Sequence, residues 1–190
     1  METQRATRRR HRILAAGILA LLVAIYACLL GIRVLWPVRY ADIIEAEAEA
    51  FELDPGLVGA IVFAESRYRA HAVSPRGALG LMQLMPSTGL WLADQLELGL
   101  SAPDDLLRPE INIRLGTWYL ASLLERFGDT RLALWAYNAG PANVERWLEA
   151  EEMPYTETAA YADRVISVRW IYGIYFRNRW VRSLTPSLVF

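Results

Sequence analysis

The stretch from residue 13 to residue 32 constrains this chain most: twenty consecutive positions carry no charge, directly after Arg5, Arg8, Arg9, Arg10 and Arg12. As a helix such a run is about 30 Å long, the thickness of a bilayer's hydrocarbon core, and it predicts a transmembrane helix. Five arginines precede it, against Arg33 and Arg39 behind it, which places the N-terminus in the cytoplasm and the rest of the chain outside. Trp36 and Tyr40 suit the outer interface. The reading gives a basic tail over residues 1–12, a signal-anchor over 13–35, a folded domain over 41–182 and a short tail over 183–190. A signal peptide cleaved or lipidated at Cys28 is the alternative. The apolar run continues past Cys28 through Leu29, Leu30 and Ile32, however, whereas a cleavage site normally closes such a segment.

The near-neutral total charge of -1 conceals three regions. Residues 1–40 hold seven Arg and one Glu, residues 41–163 hold eight Arg against twenty acids, and residues 164–190 hold five Arg and no acid. A body of net charge -12 is a poor partner for nucleic acid, which needs a clustered basic face. One cysteine, Cys28, allows no intrachain disulfide and no multi-thiolate metal site, and His11 and His71 lie far apart. Zinc chemistry and a Cys/His nucleophile pair are therefore disfavoured.

From residue 41 the chain alternates apolar helical runs with short punctuated loops, and nowhere shows the period-2 pattern of a half-buried strand. The predicted fold class is all-α. Residues 41–52, rich in Ala and Glu, form one helix. Asp54-Pro55 starts another, with Asp capping the first free amides and Pro at the first helical position. Further helices begin near Pro86, at Pro109 and after Asp129; the chain turns at Asn138-Ala-Gly-Pro141, and a last helix runs over about residues 157–182.

The helix opened by Asp54 reads Leu57-Val-Gly-Ala-Ile-Val-Phe-Ala64 and then meets Glu65. Leu57, Ile61 and Glu65 fall on one stripe, so the face that buries the helix ends in a carboxyl group. Desolvation raises such a carboxyl's pKa and makes it a usable general acid near neutral pH. A boundary Glu paired with Arg67 or Arg69 explains the same position. The following Gly77-Ala-Leu-Gly80-Leu-Met-Gln83 offers exposed backbone and an amide to a neutral polar ligand, or is a plain turn. Tyr137 and Asn138 at a helix end, and Glu157 with Tyr161 one turn later, offer further hydroxyl, amide and carboxyl groups. Each also suits core filling or capping.

Taken in order, Glu65-Ser66, Ser74-Pro-Arg-Gly-Ala-Leu-Gly-Leu-Met-Gln-Leu-Met-Pro86, Ala136-Tyr-Asn-Ala-Gly-Pro141 and Tyr155-Thr-Glu-Thr158 with Tyr161 resemble the motifs of the SLT-domain lytic transglycosylases. These are bacterial peptidoglycan-cleaving enzymes with a goose-lysozyme-like fold, and the resemblance covers roughly residues 43–175. It implies a lysozyme-like helical domain behind an inner-membrane anchor, facing the cell wall, with peptidoglycan glycan strands as partner and no metal or cofactor. Glu65 is implied as the single catalytic acid and base, with Ser66 beside it. Gly80, Leu81, Met82 and Gln83 are implied as the floor and side of the glycan groove. Tyr137 and Asn138 are placed at the cleavage point, and Glu157 and Tyr161 are expected to set the polarity around the acid. Two departures are small: Gly89 stands where many members have Ala, and Ala162 where Val is usual.

Overall fold

The computed structural model describes residues 14–27, 31, 38–100 and 102–178, and the chain divides into two compact units, Met1–Pro37 and Val38–Phe190. In the first unit residues 14–27 are helical, with Leu14, Ile18, Leu22 and Tyr26 all exposed. Among the described residues no helix is long and apolar enough to cross a membrane. The fourteen helical positions amount to about 21 Å; Cys28 and the other masked positions of the uncharged run lie outside the described residues.

The second unit is helical. It comprises α1 (Ala41–Ala50), α2 (Pro55–Ser66), α3 (Pro86–Gln95), a 3-10 turn (Pro103–Leu107), α4 (Pro109–Phe127), α5 (Thr130–Ala139), α6 (Pro141–Glu149) and α7 (Thr156–Arg177). Five of these eight elements open on Pro, whose fixed φ suits a first turn where no amide partner is lost. The described residues contain no strand, only isolated bridges from Leu79 to Val73 and to Leu84. Two helix ends fall short of the sequence reading. The first helix stops at Ala50 because Glu52 turns left-handed (φ 56) and Leu53 N–H reaches back to Ala48 O at 2.8 Å, a Schellman-like closure. The last stops at Arg177, where the Asn178 side chain donates to Ile174 O at 2.7 Å. Arg179, Trp180 and Arg182 lie outside the described residues.

The core is organised around α2, which is apolar on every face because neighbours enclose it. Leu57, Val58, Ala60, Ile61 and Val62 are buried, each large side chain contributing about 2 kcal/mol to folding. Its main neighbour is α7, with α1 on another side. Gly56 and Gly173 let α2 and α7 approach: a Cβ on Gly56 would lie 2.8 Å from Gly173 Cα. Asp54 fixes the start of both contacts. One carboxylate oxygen caps α2 by accepting from Gly56 N–H at 2.9 Å, and the other takes Arg169 Nε of α7 at 2.7 Å. The two departures from the usual pattern fit their surroundings. Leu106 fills the space a methyl on Gly89 would need, since a Cβ there would come 2.5 Å from Leu106 Cδ1, and Ala162 is fully buried.

Candidate active site

Glu65 occupies the last turn of α2, and the chain leaves that helix through two left-handed residues, Arg67 (φ 52) and Tyr68 (φ 62). The stripe of the helix that faces the core thus delivers a carboxyl to its edge. Burial pushes this carboxyl up from 4.5 to about 7, while the Tyr161 hydroxyl and the Arg164 charge pull it back. Neither Arg67 nor Arg69 forms an ion pair with it. The Arg67 guanidinium lies 5.4 Å over the Phe63 ring, and Arg69 Nε donates to Ser66 O at 3.0 Å. The cation that acts on Glu65 is instead Arg164, one turn past Tyr161 on α7, which the sequence reading missed.

Tyr161 and Tyr137 frame the acid. The hydroxyl of each is held well above its usual range, first by desolvation and next by the charge of Glu65. Tyr137 Oη donates to Met82 O at 2.9 Å. Tyr161 Oη is buried with no hydrogen bond of full geometry. Orphaned buried hydroxyls are uncommon in native proteins, and this one interacts with the single nearby group whose charge state changes.

The Gly80–Gln83 turn is held from behind. Gly80 has φ 79, and a Cβ there would overlap Asn112 Nδ2 and come 2.5 Å from Leu106 O. Asn112, fully buried on α4, accepts from Met82 N–H at 2.6 Å and donates to Leu79 O at 2.9 Å and Leu106 O at 2.7 Å. Its only sequence signal is one amide between Ile111 and Ile113 on an amphipathic helix. Leu81 and Met82 have no exposed surface, so their side chains anchor in the core the turn that is expected to form the floor and side of the groove. Gln83, itself left-handed (φ 50), donates from Nε2 to Gly80 O at 2.8 Å and Ala72 O at 3.1 Å, tying the two ends of the loop together.

Three further residues of the expected set have these surroundings. Ser66 is buried and its hydroxyl donates to Val62 O at 3.1 Å, so it is spent inside the helix. Asn138 is exposed, and its side-chain oxygen accepts from the buried Thr158 hydroxyl at 3.0 Å, joining α5 to α7. Glu157 does not act on Glu65. It projects into water 3.9 Å from Arg76, with both side chains at least three-quarters exposed, where solvent screens its charge.

The body is all-helical, built around one buried helix whose edge presents a carboxyl held at about 7. Residues 42–158 match the family model described as Transglycosylase SLT domain, and the chain belongs to that family. It is 34% identical over 155 residues to the soluble lytic murein transglycosylase of Escherichia coli K12, a match covering 75% of this chain and 23% of that protein. It is 32% identical over 131 residues to the membrane-bound lytic murein transglycosylase C of Edwardsiella ictaluri, covering 60% and 34%. The chain thus spans about a quarter to a third of these relatives. Among solved structures, an inactive Glu-to-Gln mutant of the lytic transglycosylase Slt from Pseudomonas aeruginosa superposes with a TM-score of 0.71 at 33% identity, over 77% of this chain and 26% of that one.

Proposed function

We propose that this chain is a membrane-tethered peptidoglycan lytic transglycosylase in which Glu65 acts first as acid and then as base. The observation that carries the reading is the tuned Glu65 carboxyl together with the absence, among the described residues, of any second acid acting on it. A two-carboxylate glycosidase needs that second group to activate water or to attack the sugar; Glu157 stands in solvent and faces Arg76. In the SLT-domain enzymes that the chain resembles, one acid suffices because the nucleophile comes from the substrate, and the same is proposed here. Glu65 gives its proton to the oxygen between N-acetylmuramic acid and N-acetylglucosamine, and the C1–O bond breaks with help from the sugar's own N-acetyl group. The carboxylate then takes the proton of the C6 hydroxyl, whose oxygen closes on C1 as a 1,6-anhydro ring. No water is consumed, and the acid ends as it began.

Membrane tethering rests on the uncharged run with its asymmetric arginines, on the exposed apolar helix over residues 14–27, and on the membrane-bound relative. Digestion of purified sacculi followed by mass spectrometry tests the chemistry. Anhydromuramic ends from the native chain and none from Glu65→Gln are expected. Reducing muramic ends would instead identify a goose-type hydrolase, and undiminished release by the variant would refute the assignment of Glu65. Retention in a carbonate-washed membrane fraction tests the tether.

A further inference from the structure

A cavity of about 500 Å³, apart from the Glu65 site, is lined by Arg39, Tyr40, Arg69, His71 and Val73 together with two alanines. Seven arginines of the second unit sit in ion pairs, but among the described residues neither Arg39 nor Arg69 has an acidic partner. Arg69 uses only Nε, on Ser66 O at 3.0 Å, and its Nη donors bond nothing described. Two guanidinium groups without an acidic partner around one cavity, with an imidazole beside them, offer donors suited to an anion. Val73 stands 62% exposed, so the lining carries an apolar side chain beside its cationic ones.

The chain position of the cavity selects the anion. Arg39 and Tyr40 precede the family match, which begins at residue 42, while Arg69, His71 and Val73 lie within it. Arg39 follows the end of the uncharged run by seven positions, at most about 25 Å of extended chain. Arg and Tyr immediately beyond an apolar run are the residues found at headgroup level.

We propose that this cavity binds the phosphate of an anionic phospholipid and so seats an otherwise acidic domain against the membrane. The proposal rests on the membrane tether inferred above. Guanidinium forks from Arg39 and Arg69 would take the phosphodiester oxygens, with Tyr40 and Val73 against the glycerol and upper acyl carbons.

The test uses the full chain reconstituted into vesicles of phosphatidylcholine alone or with one-third phosphatidylglycerol, reading amide hydrogen exchange over residues 69–73. Exchange is expected to slow about fivefold in the anionic vesicles, as one basic contact near a charged surface is worth roughly that factor. The Arg39→Gln/Arg69→Gln pair should abolish the difference, and Arg39→Lys should keep most of it. Unchanged thermal unfolding of the variants in neutral vesicles shows that the fold survives; where the pair unfolds, Arg39→Gln alone carries the test. Equal exchange in both vesicle types overturns the proposal. Equal slowing by inorganic phosphate in neutral vesicles overturns the lipid assignment in favour of a free-phosphate site. A chain that fails to float with either vesicle refutes the tether itself, and is recognised by that failure.

Discussion

Replacing Glu65 by Gln should make the folded protein more stable at alkaline pH while removing its chemistry. Burial holds the carboxyl at about 7 instead of 4.5. A group whose pKa is higher folded than unfolded keeps its full stability below about pH 4.5, loses it progressively between about 4.5 and 7, and is flat above. At about 1.4 kcal/mol per pH unit the total loss is about 3 kcal/mol. The amide of Gln cannot ionise, and its own burial cost does not vary with pH. The difference between the two proteins therefore isolates the charge, because every other titrating group cancels. The stability advantage of Glu65→Gln should grow by about 2.5 kcal/mol between pH 5 and pH 8, or roughly 5–10 °C in Tm for a chain of this size. Thermal unfolding followed by circular dichroism in one mild detergent, across that range, reads it directly. A difference that stays constant with pH would mean that Glu65 is solvated enough to ionise freely, and the tuned-acid argument would fall with it.

The Tyr161 hydroxyl lowers the carboxyl's pKa, so Tyr161→Phe should shift the alkaline limb of the kcat/KM pH profile upward; because the hydroxyl has no other partner, unfolding should change by about 1 kcal/mol or less. Asn112→Ala strands one buried N–H and two buried carbonyls and should cost about 3–5 kcal/mol in chemical unfolding at one or more kcal/mol per orphaned group. Gly80→Ala combines a positive φ with overlap on Asn112; a loss of about 2 kcal/mol or more and weakened binding of sacculi are expected, and a native-like melting curve would show that the turn can relax.

What could be read from the sequence was whatever local chemistry decides. Helix starts were legible because Asp54 and Asp129 cap through their own side chains onto Gly56 and Leu132 and because Pro fixes a first turn wherever it stands. The buried carboxyl was legible as an apolar run ending in Glu, but that position suited a boundary Glu as well, and only the resemblance gave it a catalytic role. What escaped was set by partners far along the chain. Asn112 bonds Met82 from thirty residues away, Arg164 reaches Glu65 only because α7 lies against α2, and Glu157 has the right neighbours in sequence yet faces water. These placements also bear on how one carboxyl would serve twice in the proposed reaction. That reaction would need Glu65 neutral to give a proton and anionic to take one back. Burial favours the first state, while Arg164 and the otherwise idle Tyr161 hydroxyl favour the second. Burial alone would leave an acid unwilling to ionise, and the partners alone would leave a permanent carboxylate. Opposed across one side chain, they hold it near 7, where neither state costs much and the proton can move both ways.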